Sequence, residues 1–421
     1  MKKLTAIVLG YGMRGQGYTH YSVAHPDELQ IVAVAEPEKS KQDYAKERHN
    51  LPDNMIFDDW KKLASLPKMA DFALITMQDR MHLEPALACI EKGYDLLLEK
   101  PMAPTAKECK IIYEAAEKKG VKVIVCHVLR FTKFWYKLKD IIDEGTLGDI
   151  MSIIHMENVG HLHQSHSFVR GNWRNSEESA PMILAKCCHD MDILQWLIGK
   201  DCKKVQSFGS LTHFRKENKP EGAPSRCLDG CPHQATCFYD PVRFYITGKK
   251  TGWEEVVADK IKPSDEEIMA ALEKGPYGRC VYECDNDVVD HQVVNMEFEG
   301  GCTVSFTMSA FNEGSRFIRI FGSKAELVAD MKSNTIDIFH FNTREHEIIE
   351  LNKIGDTIFS GHGGGDTGII IDTLKYFGGE QPSKSVCDLR TSYLNHLICF
   401  AAEESRLGGT VVDLQKFSDK I

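Results

Sequence analysis

Leu4-Thr5-Ala6-Ile7-Val8-Leu9-Gly10-Tyr11-Gly12-Met13-Arg14-Gly15 is the stretch on which the reading of this chain turns. An apolar run rich in strand formers passes straight into G-x-G-x-x-G, and a helix-capable segment follows. A second apolar run, Ile31-Val32-Ala33-Val34-Ala35, ends at Glu36. Strand, tight turn, helix, second strand and terminal acid are the parts of a dinucleotide-binding βαβ unit. Gly10 permits the turn, Gly12 lets backbone approach a pyrophosphate, and Gly15 lets helix and strand pack closely. The helix N-terminus, which carries Met13 and Arg14, faces the anion. Glu36 is placed to accept hydrogen bonds from both ribose hydroxyls and to repel a 2′-phosphate. NAD is therefore expected in preference to NADP.

Outward from this turn, residues 1–126 alternate between strand and helix patterns. Strands are expected at 4–9, 31–35, 72–76, 95–98 and 121–126, with helices at 83–92 and 106–119. Such alternation predicts a doubly wound parallel sheet, a Rossmann domain. From 127 the pattern changes. A helix is expected at 138–144 and another at 181–198. Strand patterns follow at 150–157, 204–212, 290–299, 302–310, 316–322, 325–330, 335–341 and 346–351, and a final helix at 392–407. Residues 127–421 are thus expected to form an α+β domain with a large open, mainly antiparallel sheet, the whole chain being α/β. A segment at about 213–285, rich in charge, Pro, Gly and Cys, reads as an insertion.

Length and charge set further bounds. A chain of 421 residues is too long for one ordinary core. Hydrophobic residues at 43% and charged residues at 27% fit a globular enzyme. The net charge of −10 argues against nucleic acid or an anionic membrane as partner. No run approaches the ~20 apolar residues that span a bilayer. The N-terminal apolar run is a first strand, not a signal peptide, so a cytoplasmic protein with 14 reduced cysteines is expected.

Glu99-Lys100-Pro101 follows a predicted parallel strand, at the edge where open sheets bind ligands. A lysine there can stabilise a developing alkoxide or help pass a proton. Together with Gly10–Gly15, Glu36-Pro37, the 76–82 segment and Arg130-Phe131, it resembles, in order and spacing, the glucose–fructose oxidoreductase / inositol dehydrogenase (Gfo/Idh/MocA) family. The resemblance implies NAD(P)-linked oxidation or reduction of a sugar, glycoside or polyol. It implies Lys100 at the active site, and Thr76, Met77, His82 and Glu99 beside the cofactor. It also implies a homodimer or homotetramer built through the C-terminal sheet.

Lys186-Cys187-Cys188-His189-Asp190-Met191-Asp192 carries the next signal. On one continuous helix, Lys186, His189 and Asp192 share a face. His189 suits the role of proton acceptor when a hydroxyl is oxidised. The family's usual pattern is Asp, three residues, then His; here Ala185 takes the place of that Asp and Lys186 follows. His189 is carried over as catalytic with Lys100, and Lys186 and Asp192 as substrate ligands. His127, Arg130, Arg170 and Trp173 are further substrate-ligand candidates, by hydrogen bonding and by an apolar face for a sugar ring. His362, in Gly361-His362-Gly363-Gly364-Gly365-Asp366, resembles a late family loop that returns to the site. Cys227, Cys231, Cys237 and either Cys280 or Cys284 form a set in the insertion. Structural zinc is one reading of it; free buried thiols, disulfide or redox use, and an iron–sulfur cluster are others.

Three functions fit these residues. The first is an NAD-dependent dehydrogenase of a carbohydrate derivative. The second is a glycoside hydrolase that oxidises its sugar transiently on the same fold. The third, a non-catalytic NAD-binding regulator, is disfavoured by the presence of both Lys100 and His189.

Overall fold

Apolar runs of four to seven residues, each followed by an amphipathic helix, cannot bury both faces alone and assemble as a covered parallel sheet. In the computed structural model, which describes residues 2–248, 251–351 and 364–421, β1 (Leu4–Leu9), β2 (Leu29–Ala35), β3 (Ile56–Phe57), β4 (Phe72–Ile75), β5 (Asp95–Leu98) and β6 (Val123–Val125) form this sheet. Its order is β3-β2-β1-β4-β5-β6, and every pairing is parallel. Alternation along β1 sends Ile7 and Leu9 into one core and Leu4, Ala6 and Val8 into the other. The order reverses between β1 and β4, which opens a crevice at the carboxyl edge.

Register brings the predicted residues to that edge. The N–H groups of Gly10, Glu36, Thr76 and Glu99 donate across the sheet to Ala35, Phe57, Leu9 and Ile75, each at 2.9 Å. Each of the four residues therefore stands just past the end of its strand, in one row.

The second sheet contains β7 (Ile150–Asn158), β8 (Cys202–Ser210), β9 (His291–Phe298), β10 (Thr303–Ser309), β11 (Ser315–Gly322), β12 (Ala325–Asp330), β13 (Thr335–His340), β14 (Glu345–Glu350) and β15 (Val412–Asp413). Their order is β14-β13-β12-β11-β7-β10-β9-β8-β15. Neighbours are antiparallel except β7 and β10, which run parallel. Helices Lys133–Asp143, Cys188–Ile198 and Leu389–Gly408 pack on the inner face. The outer face leaves Met151, Ile154 and Phe208 exposed.

One expectation is revised. The helix expected over 181–198 is two helices, Met182–Ala185 and Cys188–Ile198, broken at Lys186-Cys187. The chain beyond 127 also contributes a helix to the first sheet. Helix Gly365–Phe377 returns to the first sheet, where Ile369, Ile370 and Leu374 join Leu4, Val8, Tyr18 and Phe72 in one core. Gly365 makes that return possible, since a Cβ there would stand 2.3 Å from the Val128 carbonyl oxygen. The insertion lies between β8 and β9, outside the sheet.

Candidate active site

The glycine turn is built by contact as well as by freedom of φ. Gly10 has φ +91°, and a Cβ at Gly15 would lie 2.4 Å from the Gly10 carbonyl oxygen. The Thr76 hydroxyl donates to that same oxygen at 2.6 Å, locking the turn to β4. A Cβ at Gly12 would meet nothing within 4 Å. Helix Met13–Ala24 begins there with no side-chain cap and no acid in its first turn. An uncapped, open helix N-terminus over a glycine is suited to a pyrophosphate. Glu36, buried at the end of β2, accepts from the Tyr11 N–H at 2.7 Å and the Glu38 N–H at 3.1 Å. Its carboxylate is thereby fixed against the turn, where an adenosine ribose would lie. The residues present fit a bound NAD.

Beside the turn, Arg14 donates to Glu99 at 2.7 Å and forks onto Asp366 at 2.7 and 3.0 Å. Tyr18 donates to the same Glu99 oxygen at 2.7 Å, and the Lys100 N–H donates to the other at 2.7 Å. Burial alone would raise the Glu99 carboxyl, yet the Arg14 and Lys100 cations hold it below its ordinary value. Glu99 is therefore a fixed anion that orients the Lys100 backbone. The Lys100–Pro101 peptide is cis. The Lys100 ammonium reaches into the second domain and donates to the Ala185 carbonyl at 3.0 Å.

That contact places Lys100 on the break between the helices Met182–Ala185 and Cys188–Ile198. His189 lies in the first turn of the second of these, largely buried. Lys186, left outside both helices, pairs with Glu157 of β7 at 3.4 Å. Glu157 also meets Arg316 at 2.6 Å. Arg316 in turn forks onto Asp190 at 2.8 and 3.2 Å, and His155 adds a 2.8 Å contact to Asp190. Burial opposes the charge on Asp190, but Arg316 and His155 outweigh it and hold the carboxyl far below its usual range. His163 stands over the same cations. Desolvation first, then Lys186, His166, Lys100 and Arg316, keeps its imidazole well below the ordinary value. The site thus collects three cations around two buried carboxylates and presents neutral imidazole nearby.

Residues 4–127 match the family described as an oxidoreductase family with an NAD-binding Rossmann fold, and residues 139–360 match its C-terminal alpha/beta domain. The chain belongs to the Gfo/Idh/MocA oxidoreductase family. It is 24% identical over 323 residues to the Bacillus subtilis protein YteT, described as an oxidoreductase, covering 74% of this chain and 73% of that one. It is 29% identical over 175 residues to the Bacillus subtilis scyllo-inositol 2-dehydrogenase (NADP(+)) IolW, covering 41% and 45%. This second likeness spans under half of the inositol enzyme's length. The structure of a levoglucosan dehydrogenase in complex with NADH and L-sorbose superposes with a TM-score of 0.71 at 17% identity, covering 98% of this chain and 99% of the other.

Within this family frame, several residues singled out from sequence serve other ends. Arg130 and Asp192 do not face a ligand. They form a buried fork at 2.7 and 2.7 Å, with Asn395 donating to Asp192 at 2.7 Å. Lys186 does not share a helix face with His189, because the chain leaves helical geometry at Lys186-Cys187; Asp192, three residues beyond His189 in the same helix, does, but its carboxylate is taken by Arg130. His82 is buried with both ring nitrogens against backbone oxygens, those of Pro101 at 2.9 Å and Met77 at 3.1 Å, so it positions rather than binds. His127 is buried 3.8 Å from Asp192, and desolvation holds it down at about 4. Arg170 points into the insertion, to the carbonyls of Arg279 and Tyr239 at 2.8 Å each. Trp173 ties the domains together by donating to Asp79 at 2.8 Å. Met77 packs at Gly10, on the turn. Cys227, Cys231, Cys237 and Cys280 do converge, but not at a zinc spacing. Among the described residues the one trio of ligand atoms within 4.8 Å is His127, Asp192 and Cys387, and Arg130 already occupies its carboxylate. His362 lies outside the described residues.

Glu157, Asp190, Arg316 and Asp79 were missed. The first had a legible signal: Ile153, His155 and Glu157 alternate inward along β7, so two ionisable side chains sit at core-facing positions of a strand. Among the described residues no helix is long and apolar enough to cross a membrane.

Proposed function

We propose that this chain oxidises a secondary hydroxyl of a sugar or polyol, with NAD as acceptor. The observation that carries this reading is the Lys100 ammonium docked on Ala185, at the carboxyl edge of the dinucleotide sheet and beside the His189 helix. The names of the inositol and levoglucosan dehydrogenases it resembles support the substrate class. NAD, when bound, supplies the hydride-accepting ring. Gly12 and the first N–H groups of helix Met13–Ala24 hold the pyrophosphate, and Glu36 holds the ribose and disfavours a 2′-phosphate. Lys100 sits where it can hold the reacting oxygen and stabilise its negative charge. The Nδ1 atom of His189 is sealed from solvent, which leaves Nε2 to take the hydroxyl proton. Lys186, steadied by Glu157, offers a cation to a neighbouring hydroxyl or carboxylate.

The test is an NADH-absorbance screen over inositols, free sugars and glycosides, with Lys100→Met as control. The variant is expected to bind NAD with little change in Kd and to lose turnover by about a thousandfold or more, the size of effect that losing a group acting only in the transition state produces. Turnover near wild type in that variant refutes the assignment. Product formed without NADH accumulating would show the same site working with no net oxidation.

A further inference from the structure

The motif that the active site leaves unused is the cysteine set of the insertion. Cys227, Cys231, Cys237 and Cys280 line one cavity of about 30 Å³, together with Arg170 and Tyr239. A single water needs about 10–15 Å³, so the space as it stands is that of two or three waters. The chain itself brings the two halves of the set together. An isolated antiparallel bridge pairs Arg226 with Arg279. The Cys227 N–H donates to the Gly278 carbonyl at 2.9 Å, and the Cys280 N–H to the Ser225 carbonyl at 2.8 Å. Gly230, at φ +77°, turns the chain between Cys227 and Cys231. Cys284 is not on the cavity wall; its thiol donates to the Cys280 carbonyl at 3.3 Å.

A buried charge points the same way. Arg170 is fully buried at the cavity wall. It donates to two backbone carbonyls and, more weakly, to the Cys227 sulfur at 3.6 Å. Its Nη1 has no hydrogen-bond partner, and the carboxylate on the same cavity wall, Asp240, accepts from Gln234 and the Arg243 N–H rather than pairing with it. A buried guanidinium without a counter-charge is strongly unfavourable, so an anion is called for.

Spacing then chooses the guest. A lone zinc holds sulfurs at about 2.3 Å, which puts them about 4 Å from one another. No three of these four sulfurs lie within 4.8 Å of one another. A cubane of four irons and four sulfides sets its thiolates at the corners of a larger tetrahedron and leaves the whole unit anionic. We propose that Cys227, Cys231, Cys237 and Cys280 ligate a 4Fe–4S cluster, with Arg170 as its buried counter-charge and as hydrogen-bond donor to the Cys227 sulfur. On ligation each S–H bond breaks as an S–Fe bond forms. Four protons leave to solvent and no iron changes oxidation state. The cluster is structural. It fastens a lobe of little regular secondary structure against the buried segment Gln164–Arg170, which continues from His163 beside Lys186 and Lys100.

The full chain purified without oxygen is the sample. Iron and acid-labile sulfide are each expected at about four per chain, with a broad visible absorption that bleaches on reduction. Cys231→Ser is expected to lose more than three quarters of the iron, while Cys202→Ser, at the start of β8 in the second sheet, retains it. Apoprotein supplied with sulfide and equal amounts of ferrous and ferric iron is expected to regain the absorption, which tests the wild-type chain even if Cys231→Ser does not fold. One zinc per chain with no iron, or no metal after reconstitution, overturns the proposal. Either result leaves the NADH screen and the Lys100→Met comparison unaffected.

Discussion

Replacing Arg316 by Met removes one guanidinium and strands two buried carboxylates. Arg316 holds Asp190 by a fork at 2.8 and 3.2 Å and Glu157 at 2.6 Å. Asp190 and Glu157 are 0% and 2% exposed, so water cannot replace the lost partner. Breaking a buried pair by removing one side costs about 3–5 kcal/mol. His155 still contacts Asp190, and Lys186 still contacts Glu157, so the expected loss is near 3 kcal/mol by the same scale. An unfolding entropy of about 2.1 cal/mol/K per residue over 421 residues makes each kcal/mol worth about 1 °C. Arg316→Met should therefore melt about 3 °C lower at pH 7. The pH dependence gives a sharper signature. The folded Asp190 carboxyl lies below its unfolded value of about 3.9, so its stabilisation is complete above that pH and is lost as pH falls towards the folded value. The gap between variant and wild type should be full at pH 7 and narrow below about pH 4. Urea titrations of both proteins at pH 7, 4 and 3 read this directly. A variant within about 1 kcal/mol of wild type at pH 7, or a gap that stays constant across this range, would refute the reasoning. Arg316→Met/Asp190→Asn should recover part of the loss, since the pair is then removed rather than broken.

Two further outcomes concern the cofactor. Glu36→Ser removes a carboxylate held by two backbone N–H groups at the ribose position. It should lower kcat/KM for NAD by about ten- to a hundredfold, the worth of charge-assisted hydrogen bonds, and raise the relative use of NADP; unchanged NAD/NADP selectivity in steady-state assays would contradict the role given to Glu36. Gly15→Ala drives a methyl to 2.4 Å from the Gly10 carbonyl oxygen, a contact between two backbone segments that cannot both move. It should destabilise by about 1–3 kcal/mol and weaken NAD binding, read by thermal melts with and without NAD; a melting temperature and NAD shift equal to wild type would show that the turn is looser than drawn.

Legibility from sequence followed the range of the interaction. β1 and β5 begin and end where the apolar runs do, and helix Ala106–Lys119 starts at its Thr105 cap and stops at Gly120, which has φ +71°. In the C-terminal half, strand alternation located nearly every strand of the second sheet. The helix expected over 181–198 is broken by contacts that are not local. Its residues suit a helix throughout, but Lys100 takes the Ala185 carbonyl and Lys186 swings to Glu157, contacts across 85 and 29 residues that no window of sequence contains.

The sequence by itself determined the dinucleotide turn, the acid that follows β2, the lysine at the edge of β5 and the membership those motifs announce. Each depends on backbone sterics or on side chains a few residues apart, and such preferences are written locally. Tertiary structure alone decided which charges face a ligand and which face one another. Arg130 and Asp192 stand 62 residues apart in sequence and 2.7 Å apart in the fold. Arg14 and Asp366 are 352 residues apart and close the same way. A buried charge takes whichever partner the fold delivers, because leaving it unpaired is the more unfavourable outcome. Residue type can nominate a ligand, but the packing of distant segments settles whether its charge is free to be one.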